Sequence, residues 1–325
     1  MPSRYRTFDT SRLKLSPLSQ RRHDVMLADI LPIDPAGPTF THPLLAGVAD
    51  AVTAARKSGA AVILAMGAHV IKKGLSRYLI DMLRRGWLTH LAGNGAVAIH
   101  DYELARVGAT SESVAAYIKE GRFGLWQETG EINDIVTAGA AEALGMGEAI
   151  GRAVATAGRC PHKDVSVLAA AYENNVPATL HVGIGYDIIH EHPNFDPAAA
   201  GAASGRDFLI FANAVENLEG GVLLCFGSAV MAPEVYLKAL SMARNVAGSR
   251  GKAIRHFTSA VFDLVPITGD PHAEAAPDSH EYYYRPYKTI LVRTVADGGQ
   301  SFYIRGNHTQ TLPALHKLLA DRAAR

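Results

Sequence analysis

Short apolar runs alternate along this chain with longer stretches of helical periodicity. Ala60 to Met66, Trp87 to Ala92, Ala178 to Val182, Gly221 to Phe226 and Phe257 to Val265 read as strands. Leu44 to Lys57 carries apolar residues at helical spacing through Leu45, Val48, Val52 and Ala55, and Gly59 stops it. Residues 70–85 form the next helix, with Ile71, Leu75, Leu79, Ile80 and Leu83 on one stripe. Further helices are predicted over 100–120 (interrupted near Gly108), 129–158 (broken around Gly145 to Gly147), 164–173, 201–217, 233–245 and 311–325. Lys288 to Val295 and Ser301 to Ile304 flank Asp297-Gly298-Gly299, which predicts two strands about a turn or bulged hairpin. Strand–helix–strand units of this length suit parallel crossovers. The fold class predicted is α/β: a doubly wound, mostly parallel, Rossmann-like sheet.

Residues 1–42 contain proline and arginine with little periodicity, including Arg4, Arg12, Arg21 and Arg22. They read as an N-terminal arm, either loosely ordered or packed on a neighbouring subunit. Residues 43–325 read as a single α/β catalytic domain. The chain of 325 residues can bury a large core, and its 30 glycines fit close packing. A net charge of +1 supplies no field for nucleic acid or an anionic membrane. Only Cys160 and Cys225 are present, which excludes a thiolate metal cluster and argues for a reducing compartment. With no apolar leader after Met1 and no run long enough to span a bilayer, a cytoplasmic protein is expected.

Three strand ends carry candidate chemistry. Gly67-Ala68-His69, Ala92-Gly93-Asn94-Gly95 and Gly227-Ser228 each follow an apolar run and open a helix. Small residues there let a pyrophosphate or ribose approach backbone N–H groups. Singly, each is ordinary strand-to-helix geometry; together they point to a nucleotide. Neither GxGxxG nor a P-loop pattern occurs. Asp101 or Glu103, just after the run Ala96 to Ile99, would accept ribose hydroxyls, or simply begin a solvated helix. His190 and His192 alternate as on a strand near Asp187 and Asp196, which suits either a metal or a polar rim loop. Without an HExxH pattern, no metal is assigned. The polar stretch from Thr268 to Lys288 holds Asp270, His272, Glu274, Asp278, His280 and Glu281, then Tyr282-Tyr283-Tyr284-Arg285-Pro286-Tyr287. Loops of this length and polarity are more often functional than structural. Lys288, among aromatics, reads either as a nucleophile or as an exposed lysine paired to Glu281.

Taken in order, these segments resemble the deoxyhypusine synthase and homospermidine synthase family over about residues 55–320. The likeness rests on Ala60 to Gly74, Leu91 to Glu103, Asn175-Val176-Pro177 onward to Asp187, Gly221 to Val235, Phe257 to Asp263, Pro277-Asp278, Glu281, Lys288 and Val295-Ala296-Asp297. It implies the family's NAD-binding fold and an NAD-dependent transferase that moves an alkylamine group between small amines through a lysine imine. Lys288 would be the nucleophile. Asp278 and Glu281 would anchor cationic amines. Glu234, in the Ala232-Pro233-Glu234 that replaces a Lys-His-His of the family, is a further catalytic candidate. Gly67, His69, Gly93, Asn94, Asp101, Glu103, Asp187, Gly227, Ser228 and Asp263 would bind NAD. The resemblance also implies a homotetramer, with a small-molecule amine as the partner. A hydrolase or lyase on the same fold, possibly metal-dependent, and a non-catalytic family member are the alternatives.

Overall fold

The computed structural model describes residues 3–324. Met1, Pro2 and Arg325, which the predicted arm and last helix include, lie outside the described residues. Six strands, β1 (Val62–Met66), β2 (His90–Asn94), β3 (Ala178–His181), β4 (Val222–Phe226), β5 (Thr258–Asp263) and β6 (Gln300–Arg305), form one sheet in the order β3-β2-β1-β4-β5-β6. Every neighbouring pair is parallel. This is the doubly wound order, in which the chain reverses its direction of travel between β1 and β4.

Both faces of the sheet are covered, so the central strands are apolar without alternation. Val62, Leu64, Met66, Val222, Leu224 and Phe226 face one core, with Val48 and Val52 of helix Leu45–Ser58 and Leu312 and Leu315 of helix His308–Ala323. Ile63, Ala65, Leu223 and Cys225 face the other, with Phe211 of helix Pro197–Glu216 and Tyr236 and Leu240 of helix Met231–Ser249. Among the described residues, no helix is long and apolar enough to cross a membrane.

Two predicted features differ. The arm is not loose: Leu18 and Ile30 are fully buried against the rest of the same chain. Arg21 clamps Glu103 with two hydrogen bonds, of 3.0 and 2.6 Å, deep inside the protein. The predicted strand from Lys288 is instead helical over Pro286–Arg293, and residues 297–299 are no hairpin, because β6 runs parallel to β5. Pro286 suits a first helical turn, and a short apolar run such as Thr289 to Val292 carries no periodicity to separate helix from strand.

Candidate active site

At the reversal point two glycine turns meet. The Gly67 N–H donates to the Phe226 carbonyl (3.0 Å) and the Gly227 N–H to the Phe262 carbonyl (3.2 Å), so the ladder continues one residue past β1 and β4. A Cβ on Gly67 would fall on the Gly227 carbonyl oxygen, inside van der Waals contact. Gly227 has φ +61°, and a Cβ there would strike Nε2 of His308. Above these turns opens a cleft of about 860 Å³. Its walls come from the ends of five strands: Gly67, His69 and Lys73 after β1, Asn94 of β2, Gly227 after β4, Asp263 of β5, and Asn307 and His308 after β6. His280, Tyr283 and Tyr284, from the polar loop, close one side.

The crevice continues past Asn94. A second cavity of about 300 Å³ adds His181, Tyr186, Asp187 and Val230, and a third of about 200 Å³ shares Tyr186 and Asp187 with it. The Asn94 side chain accepts from the Val97 N–H (3.3 Å), capping helix Gly95–Val107. A Cβ on Gly95 would overlap the Asp187 carboxylate, so that carboxylate rests against the first turn of this helix. Burial pushes the Asp187 carboxyl up to about 6.

The charge in the main cleft is mixed. Burial lowers His308 below the usual histidine range; the Asp263 charge opposes this and His69 adds to it. His69 is lowered by burial and by the Lys72 and Lys73 ammonium groups. Asp263 accepts from the Tyr284 hydroxyl and the Leu264 N–H, each at 2.6 Å. A cation, a carboxylate and two neutral-leaning imidazoles thus share one concave site at the carboxyl ends of the strands, the usual ligand position in such sheets.

Of the residues assigned to NAD, Gly67, His69, Asn94, Gly227 and Asp263 line the main cleft, and Asp187 its extension. Gly93 lies beneath, against Val97. Ser228 is buried and caps the next helix, accepting from the Ala232 N–H (3.1 Å). Asp101 and Glu103 are corrected. Asp101 is fully buried and accepts from the Ser166 hydroxyl (2.5 Å) and the Val167 N–H (2.7 Å), fixing the start of helix Val167–Glu173. Glu103 is equally buried and holds Arg21, Thr110 and Thr129. Burial closes Asp101 off from a ribose hydroxyl, and the Glu103 carboxylate, though it lines the third cavity, already accepts four hydrogen bonds from the protein.

The catalytic candidates fall outside the cleft wall. The Lys288 amine lies 4.1 Å from the centre of the Tyr282 ring. Glu281 accepts from the N–H and hydroxyl of Thr268. Glu234 pairs with Lys238 and Arg285, and Asp278 is exposed. His190 accepts from the Gly185 and Asp187 N–H groups through Nδ1, while His192 meets the Gly124 carbonyl through Nε2. They sit about a helical turn, not a strand. Among the described residues no three His, Cys, Asp or Glu groups converge as a metal site. Sequence reasoning missed Lys73, Asn307 and His308. The signal for the last two was present: Arg305-Gly306-Asn307-His308 repeats the strand–small turn–helix pattern of the other strand ends.

Solved structures share this fold. AgrE, as a point mutant bound to L-arginine, is 17% identical with a TM-score of 0.53, over 88% of this chain and 34% of that one. AgrE in a ternary complex with ornithine and NAD+ matches at 15% identity and a TM-score of 0.50, over 86% and 33%. ArgZ, an arginine dihydrolase from the ornithine–ammonia cycle in cyanobacteria, is 15% identical with a TM-score of 0.50, over 87% and 33%. The chain therefore spans about a third of the length of AgrE and ArgZ. A conserved putative LOR/SDH protein from Methanococcus maripaludis S2 is 15% identical with a TM-score of 0.50, over 92% and 73%. A putative deoxyhypusine synthase from Entamoeba histolytica is matched at 7% identity and a TM-score of 0.43, over 81% and 76%. No protein-family model matches the chain, and neither does any curated protein.

Proposed function

We propose that the protein is an NAD-dependent enzyme that oxidises a small amine in the cleft at the reversal point. The observation that carries this reading is the pair of opposed glycine turns. Gly67 and Gly227 line the cleft at the strand ends without a side chain, and although their own N–H groups are taken by the Phe226 and Phe262 carbonyls, these turns let a pyrophosphate approach the backbone closely. AgrE, of the same fold, has been solved with ornithine and NAD+. Bound NAD would supply a two-electron acceptor for the carbon–hydrogen bond beside the amine. The chain's residues do the rest. Asn94 and Asp187 border the space for the adenosine half, and Asp263 offers a carboxylate to a cationic nitrogen. Lys73 sets a cation in the same wall, which favours a substrate with both a carboxylate and an amine.

The narrower form of the reading is transfer of an alkylamine group through an imine on Lys288. Its support is the position of Lys288 a few residues along the segment that gives the cleft His280, Tyr283 and Tyr284. Borohydride added during turnover would trap the imine on Lys288. Unchanged turnover by Lys288→Ala would remove the transfer step and leave the oxidation. A cytoplasmic homotetramer belongs to the same proposal. It is supported by the free thiols of Cys160 and Cys225 and by the exposed Ile184, Val230 and Leu264, and sedimentation would test the oligomer. The main test is calorimetric titration with NAD+, followed by absorbance of the reduced cofactor on adding L-ornithine, L-arginine or simple diamines. One NAD+ per chain and amine-dependent reduction are expected. No binding at millimolar NAD+ would overturn the reading.

A further inference from the structure

We infer that His308 is the residue that accepts the proton released from the substrate nitrogen. This rests on the proposed amine oxidation. Oxidation of an amine to an imine removes a hydrogen with two electrons from the carbon–hydrogen bond, which bound NAD would accept. A nitrogen–hydrogen bond then breaks as the C=N bond forms, and that proton needs an acceptor within the site. His308 meets the requirement by position. It lies in the cleft wall at the first residue of helix His308–Ala323, and its Nε2 edge stands beside the Gly227 turn. It is 8% exposed, and its Nδ1 is buried with no hydrogen-bond partner. With Nδ1 keeping the ring hydrogen, Nε2 is the atom that takes the proton.

The surroundings set the right resting state. Burial, the nearby His69 and the start of a helix all favour neutral imidazole; Asp263, at the end of β5, then favours the imidazolium once it forms. Lys73, also in the wall, adds positive charge, and the Phe226 ring of β4 lies edge-on to the imidazole with the ring centres 5.8 Å apart. The other two histidines of the cleft are exposed, His280 on the polar loop and His69 beside Lys72 and Lys73, which makes them the poorer acceptors.

The test uses the full chain with NAD+ and His308→Gln. At NAD+ concentrations that saturate the variant by calorimetry, amine-dependent reduction is expected to fall by a factor of about 100 or more, the usual worth of a positioned acid or base. The loss of wild-type activity below pH 6.5 should disappear from the residual rate of the variant. A second readout needs no substrate: diethyl pyrocarbonate, which attacks accessible neutral imidazole, should label His308, and saturating NAD+ should block it. Equal turnover with an unchanged pH profile, or labelling that NAD+ does not affect, overturns the assignment while the cofactor reading stands. Absence of NAD+ binding in the wild type overturns the cofactor reading itself. Where none of the amines tried is oxidised, the assignment falls with the amine-oxidation reading on which it rests, while NAD+ protection from labelling would still place the cofactor beside His308.

Discussion

Replacing Glu103 by glutamine separates a structural from a cofactor-binding carboxylate. Glu103 and Arg21 are each 1% exposed at the side chain and joined by hydrogen bonds of 3.0 and 2.6 Å. The same carboxylate accepts from Thr110 at 2.6 Å and Thr129 at 2.5 Å. Burial alone would raise the Glu103 carboxyl; hydrogen bonding and charge from Arg21, with the two hydroxyls, hold it below the ordinary value instead. The variant leaves the Arg21 guanidinium buried without its counter-charge, which costs about 3–5 kcal/mol. That is a large share of a folding free energy of roughly 5–15 kcal/mol. Urea unfolding followed by circular dichroism reads the loss directly. The arm should also come free, since Arg21 is its buried anchor, and trypsin should cut early within residues 3–30. NAD+ affinity, measured where the variant is still folded, should stay within threefold. A stability loss below about 1 kcal/mol together with a tenfold weaker NAD+ affinity would refute this reasoning and return Glu103 to the cofactor. The sign with pH follows. A carboxyl held low in the folded state stabilises above its unfolded value, near 4.5, and that contribution disappears as pH falls through the lower folded value. The difference between wild type and variant should therefore shrink in acid.

Asp187, with its carboxyl pushed up to about 6, behaves oppositely. The folded state favours its protonated form, so stability present below the unfolded value of 3.8 is lost as pH rises through 6, and Asp187→Asn should be the more stable protein at pH 8, by on the order of 1 kcal/mol. If the ionised carboxylate accepts from a ribose hydroxyl, wild-type NAD+ affinity should rise between pH 5 and 7 while that of the variant stays flat; parallel curves would remove Asp187 from the site. Gly227→Ala forces a side chain to φ +61° at about 1–2 kcal/mol and drives its Cβ into His308, so thermal stability and NAD+ affinity should both drop. Unchanged affinity in that variant would show that the turn is not part of the cofactor path.

The centre of the fold was legible because both faces of the sheet are covered. Val62 to Met66 and Val222 to Phe226 are unbroken apolar runs, and each ends on the glycine that the reversal point needs. Asp101 and Glu103 were misread for a physical reason. Their partners, Ser166 and Arg21, lie 65 and 82 residues away, and nothing local distinguishes a carboxylate facing a distant guanidinium from one facing solvent. Lys288 fell in an apolar stretch too short to show a period, so a helical segment was read as a strand. His308 escapes the sequence pattern because the apolar spacing of the last helix starts only near Thr311, past the Asn307 side chain that caps the helix by accepting from Thr309. Asp187 and Asp263 do line the crevice, whereas Asp101 and Glu103, whose partners are chosen by the tertiary fold, lie outside the main cleft.

A crystal structure of the full chain grown with NAD+ tests the central claim most directly. The account predicts one dinucleotide per chain with its pyrophosphate against the Gly67 and Gly227 turns, its adenosine towards Asn94 and Asp187, and its nicotinamide between Asp263 and His308. A dinucleotide bound elsewhere, or side chains filling the space over those two glycines while saturating NAD+ is present, would contradict it.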